Sequence, residues 1–179
     1  MGGGPRASAG DVYRVGHHWR IEGSIEAVYH HLTRARAYPE WWPAIPAVDV
    51  LRGGDDPAVG DSVRMHVKSF LPYHVDWVMT TTRLLPPGFI DTDNQLVLGG
   101  RLRLSGTTTV RLRQDGPHVD VVQDEILTAD GWHLPGPLRA LANRLFSFNH
   151  AYAAAPGERG LQRLIREAAR VTKTKPHSE

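Results

Sequence analysis

Residues 19–32, Trp19-Arg-Ile-Glu-Gly-Ser-Ile-Glu-Ala-Val-Tyr-His-His-Leu32, change their hydrophobic period halfway along. Up to Glu22 the chain alternates, with Trp19 and Ile21 on one face and Arg20 and Glu22 on the other. That is the period of two expected of a strand with one wet side, and it extends back to Val12. From Ser24 onward, Ile25, Val28, Tyr29 and Leu32 stand at i, i+3, i+4 and i+7, one apolar stripe of a helix. Ser24 is placed to cap that helix, and Glu26 in the first turn suits its dipole. The segment predicts a strand that turns at Gly23-Ser24 into a short amphipathic helix. A second short helix is expected over Ala35 to Glu40, limited by Pro39. Tyr38-Pro-Glu-Trp-Trp-Pro43, with Ile45 and Pro46, then reads as a rigid aromatic and proline corner.

Downstream the strand period returns. Val48 to Arg52 is followed by the turn cluster Gly53-Gly54-Asp55-Asp56-Pro57. Ser62 to Ser69 alternates Val63, Met65 and Val67 against Arg64, His66 and Lys68. His74 to Leu84 sets Val75, Trp77 and Met79 against His74, Asp76 and Val78. Phe89 to Leu98 forms another strand, Leu102, Leu104, Val110 and Leu112 mark one face of a longer one, and Val119 to Leu127 supplies the last. Such a series is the signature of an antiparallel sheet with one solvated face.

The C-terminal part changes period again. Leu138, Leu141, Ala142, Leu145, Phe146, Asn149, Tyr152 and Ala153 lie at helical spacing, and Leu161, Leu164, Ile165 and Ala168 resume it. Pro156-Gly157 between them predicts a kink or restart. Strand, two helices, many strands and a long helix make an α+β domain over residues 11–171. The segments 1–10 and 172–179 carry too little apolar surface to offset ordering entropy and are expected to be mobile.

The 179 residues, 41% hydrophobic and 22% charged, have the composition of a globular protein. Net charge is only +2, and the arginines are spread along the chain, against the concentrated basic face of a nucleic-acid binder. Without cysteine, neither a disulfide framework nor thiolate catalysis is available. The opening ten residues lack the apolar core of a secretory signal. No run approaches the ~18 apolar residues of a membrane span. A cytoplasmic protein is expected.

In its order of elements, from Tyr13 to Val171, the chain resembles the START-like helix-grip superfamily, also called SRPBCC, and its polyketide-cyclase/dehydrase-like members. The resemblance is carried by Tyr38-Pro-Glu-Trp-Trp-Pro43, by Val59-Gly60-Asp61 before a strand and by Gly106-Thr-Thr-Thr-Val110. Phe148-Asn-His150 and Gly157-Glu-Arg-Gly-Leu161 in the last helix add to it. Pro156 departs from the straight final helix of that pattern. The resemblance implies a helix-grip fold, a curved antiparallel sheet wrapped around a long C-terminal helix, with a cavity between them. It also implies binding of a small hydrophobic or aromatic molecule that is polyketide-, lipid- or hormone-like. The alternative is a polyketide aromatase or cyclase working in the same cavity.

The lining of such a cavity would come from the apolar faces: Met65, Val67, Trp77, Met79, Leu102 and Leu104 of the sheet, with Leu145, Phe148, Asn149 and Tyr152 of the helix. The same side chains could equally fill a solid core. Trp42 is a candidate gate and Trp132, in the loop before the helix, a candidate lid. Asn149 falls on the apolar stripe, and a buried amide there requires partners. His150, one step round, is a candidate general acid or base near pH 7; with Asn149 and Tyr73 it completes the catalytic candidates. His66, His74 and Asp76 form a possible two-histidine, one-carboxylate metal set. They lie on the face opposite Met65 and Trp77, however, and no metal or other cofactor is expected. No nucleophile elbow, phosphate loop or zinc motif occurs. A third reading is a partner-binding module using Arg64, Lys68, Arg101 and Arg103 on the outer face; the oligomeric state stays open.

Overall fold

The computed structural model describes residues 11–70, 74–129 and 134–174. β1 (Val12–Glu22) turns at Gly23-Ser24 into α1 (Ile25–Thr33). The Ser24 hydroxyl accepts from the Ala27 N–H at 3.3 Å, and Val28 and Leu32 point into the core. A 3₁₀ turn at Ala35–Ala37 and α2 (Tyr38–Trp41) follow, so the expected second helix is split in two. The Tyr38 hydroxyl donates to the Leu32 carbonyl at 2.6 Å, tying this corner back onto α1.

Six strands come next: β2 (Ala47–Arg52), β3 (Ser62–Lys68), β4 (His74–Leu85), β5 (Phe89–Leu98), β6 (Leu102–Asp115) and β7 (His118–Ala129). The described residues form one curved antiparallel sheet in the order β1-β7-β6-β5-β4-β3-β2. β1 and β2 are therefore the two edges, and the helical corner crosses from one to the other. Registers such as Met65 opposite Trp77 and Thr108 opposite Glu125 carry the inner face from strand to strand. With strand period two, Val63, Met65 and Val67 turn inward, as expected.

The last element, α3 (Gly136–Thr174), packs against β1 and α2. It is continuous through Pro156 and passes Val171, where the sequence placed the domain end. Ala154 at its middle and Leu161 and Ile165 in its C-terminal half are buried. That half also satisfies the free edge of β1. Glu158 accepts from the Arg20 N–H at 3.1 Å, while Gln162 accepts from the Glu22 N–H at 2.8 Å and donates to its carbonyl at 3.1 Å. Covering an edge strand in this way removes its unpaired amides from other chains.

Two glycines let the helix come this close. A Cβ on Gly157 would stand 2.6 Å from the Trp42 ring, and one on Gly160 would collide with the Trp41 carbonyl oxygen. The resulting frame holds the aromatic corner between sheet and helix, which positions the interior site.

Candidate functional site: an apolar cavity with a polar belt

Between the sheet's inner face and the α1–α2 corner lies a cavity of about 60 Å³. Trp19, Trp42, Met65, Trp77 and Met79 supply apolar wall, and His17, Thr92, Thr108 and Gln123 supply the polar groups. Trp42 is a fixed wall. Its ring stacks on Trp41 at 5.4 Å and meets the edge of Trp19 at 5.3 Å, and its Nε1 donates to the Ala153 carbonyl at 2.7 Å. Two lining residues carry buried nitrogens that have no partner among the described residues, His17 Nδ1 and Trp77 Nε1. A buried unpaired polar atom costs ~1–3 kcal/mol, so both nitrogens favour an occupant that can bond to them.

A hydrogen-bonded belt crosses the inner face behind the cavity. Thr92 donates to Asn94 Oδ1 at 3.2 Å, and Asn94 Nδ2 donates to Thr108 Oγ1 and, at 3.3 Å, to Glu125 Oε1. Burial pushes the Glu125 carboxyl up to about 7, partly opposed by its hydrogen bond from Thr108. His150 reaches in from α3, with Nε2 3.8 Å from Glu125 Oε2. Its ring centroid is 5.3 Å from that of His17, which stacks on Trp19 at 4.5 Å. Burial lowers His150 to about 4; burial and the neighbouring His150 lower His17 to about 3. At neutral pH both imidazoles are therefore uncharged. This end of the site exchanges hydrogen bonds, and can move a proton, without a fixed positive charge.

A second hollow of about 240 Å³ adjoins the first. It lies between the 3₁₀ turn and the β2–β3 connection, and the two spaces share Thr33, Pro57, Met79 and Thr81. Its rim is closed by two ion pairs, Arg34 with Asp56 at 3.4 Å and Arg36 with Asp55 at 2.8 Å.

Of the residues expected to line a cavity, Trp42, Met65, Trp77 and Met79 do border it. Val67 and Leu104 are buried, and Leu102 packs partly buried against the core; none of the three borders the cavity. The helix requires a correction. Leu145, Phe148 and Tyr152 are 42%, 55% and 51% exposed, in line with exposed Leu138 and Leu141. α3 is rotated so that Ala142, Phe146, Asn149 and Ala153 turn inward, because the close approach at Gly157 and Gly160 dictates which face meets the corner.

Asn149 is buried, but its Oδ1 accepts from Ser69 Oγ at 2.8 Å and from the Phe70 N–H at 2.9 Å. It anchors the β3–β4 connection and does not border the cavity. Tyr73 and Trp132 lie outside the described residues. His66 is on the outer face, bonded to Asp76 at 2.9 Å and Asp49 at 3.1 Å, and these partners raise its pKa. His74 is exposed on the same strand pair. Among the described residues, no group of three or more His, Asp or Glu is placed to hold a metal ion.

His17, Thr92, Thr108, Gln123 and Glu125 were not singled out from the sequence. The available signal was a polar residue on an otherwise apolar face, such as Thr92 and Asn94 between Ile90 and Leu96, or Gln123 and Glu125 between Val121 and Leu127.

This architecture is the helix-grip fold. No family model matches the sequence, and no curated protein does. Among solved structures, the chain is similar to the Zhui aromatase/cyclase from Streptomyces sp. R1128, at 15% identity and a TM-score of 0.68 over 90% of this chain and 98% of that one. It is also similar to norcoclaurine synthase from Thalictrum flavum, at 12% identity and a TM-score of 0.65 over 90% and 98%. A START superfamily protein from Mycobacterium smegmatis gives 16% identity and a TM-score of 0.61 over 85% and 99%. Among the described residues no helix is long and apolar enough to cross a membrane.

Proposed function

We propose that the protein binds a small, mostly apolar molecule in the cavity between sheet and corner, oriented by hydrogen bonds to His17 and Trp77. The observation that carries this reading is the pair of nitrogens without a partner among the described residues, His17 Nδ1 and Trp77 Nε1, on the walls of a mostly apolar space. Burial of apolar surface supplies the affinity, at ~25 cal/mol per Å², and the two nitrogens with the threonine hydroxyls supply orientation. Lipids and polyketide-like aromatics that reach from this cavity into the adjoining hollow match this description. The test is thermal melting against a panel of such molecules. A ligand present at a hundred times its Kd stabilises by about 2.7 kcal/mol, a rise of several degrees. A transition that no member of the panel moves would sink the proposal.

A second reading, cyclisation or dehydration of a polyketide-like substrate, is favoured by one specific feature. His17 on the cavity wall, His150 and Glu125 form a line of titratable groups running from the cavity into the belt. A cavity that folds a flexible substrate gains chiefly from proximity and orientation, and such a line could take up a proton. His150→Phe and Glu125→Gln separate the readings: loss of turnover with retained binding supports catalysis, and unchanged turnover opposes it.

A further inference from the structure

We propose that the 240 Å³ hollow beside the cavity is a subsite for the anionic end of an amphiphile whose apolar part enters the inner cavity. This rests on the binding reading above and narrows it to a ligand class. The inner cavity, at about 60 Å³, is smaller than the ~150 Å³ that accommodates benzene. Pockets for drug-sized ligands occupy roughly 300–1,000 Å³. An occupant of any length must therefore extend beyond it, and the neck shared by Thr33, Pro57, Met79 and Thr81 leads into the outer hollow.

Arg34, Arg36 and Arg52 line the outer hollow. The first two hold Asp56 and Asp55, whose side chains are 99% and 91% exposed on the β2–β3 connection. Such exposed ion pairs contribute at most ~1 kcal/mol, so an incoming anion can displace these carboxylates. Arg52 makes no ion pair with any described residue. The other carboxylates of the lining are Glu40 and Asp61, and Asp61 is engaged by the Ala58 N–H at 2.8 Å. Once Asp55 and Asp56 move aside, three guanidinium groups face two carboxylates at the mouth of an apolar space. A guanidinium fork fits a carboxylate and a phosphate alike.

Four probes decide the matter in the full chain: octanoate, octyl phosphate, methyl octanoate and octanol, each titrated against the fluorescence of the cavity tryptophans. We expect one or both anions to bind about tenfold more tightly than the ester, as charge-assisted hydrogen bonds warrant. The preferred anion identifies carboxylate or phosphate as the natural head group. Added salt should erode the anion advantage and leave ester binding unchanged. Arg36→Gln with Arg52→Gln should abolish the advantage without weakening ester binding, while Arg36→Lys should retain part of it. Anions binding no better than the ester, or an advantage that survives both the double substitution and high salt, would overturn the subsite while leaving the cavity reading intact. If no probe, the ester included, alters the fluorescence or the melting temperature, both fail.

Discussion

Glu125 is 2% exposed at the centre of the belt, and the cost of charging it there is a quantity that can be measured. Its folded pKa, about 7, lies above the 4.5 of an unperturbed glutamate. Between these values the unfolded chain gives up a proton that the folded protein keeps, so wild-type stability loses ground as pH rises from 4.5 to about 7. Glu125→Gln removes that loss. Its stability relative to wild type should climb across the window by up to about 3 kcal/mol, then level off. Urea midpoints at several pH values provide the check, and parallel curves would refute the assignment. Asn149 makes a different kind of prediction. Asn149→Ala strips Ser69 Oγ and the Phe70 N–H of their shared acceptor and should cost ~1–3 kcal/mol in stability. Ligand contact at the cavity wall should survive, because Asn149 is not part of it. The sequence indicated that this amide points inward. It could not indicate that the partner is a strand connection 79 positions earlier in the chain.

At the scale of elements, strands were more legible than the long helix. A strand has two faces and period two, so identifying Met65 as apolar and His66 as polar already assigns inside and outside. α3 carries two adjacent apolar stripes. Leu138, Leu141, Leu145, Phe148 and Tyr152 form one, and Ala142, Phe146, Asn149 and Ala153 form the other. Helical spacing alone merges the two into one broad inward face; glycine contacts with the aromatic corner select the second stripe. Gly160→Ala, whose Cβ would overlap the Trp41 carbonyl, should destabilise by about 3 kcal/mol or more, since backbone rather than a flexible side chain must yield. Leu161→Ala, at a fully buried position, should cost ~2–5 kcal/mol. Leu145→Ala should fall within about 1 kcal/mol of wild type. Equal costs at Leu145 and Leu161 in thermal unfolding would mean that α3 docks by the other face.

For the whole molecule, the buried histidines set the response to acid. His150 and His17 have folded pKa values of about 4 and about 3, below the ordinary 6.5. Below pH 6.5 the unfolded chain takes up protons that these folded imidazoles refuse, so their contribution is fully present above 6.5 and is lost as pH falls toward 4 for His150 and toward 3 for His17. Glu125 opposes this over part of the range but is one group against two. The melting temperature should therefore drop between pH 6.5 and 4, and His150→Asn should flatten that drop; an unchanged slope would argue that His150 is charged in the folded protein. Local order was legible in the sequence: the strand-to-helix switch at Ser24, the turn at Gly53–Pro57, the alternation of each strand and hence the α+β succession that suits a helix-grip fold. These depend on neighbours a few residues apart, where dihedral preference and hydrophobic period act directly. Only the tertiary structure decided which stripe of α3 faces in, that Thr92, Thr108 and Glu125 from three strands form one belt, and that the inner face encloses a space instead of a solid core. Those outcomes depend on register and on the distance between elements far apart in the chain, and hydrophobic period carries no information about either.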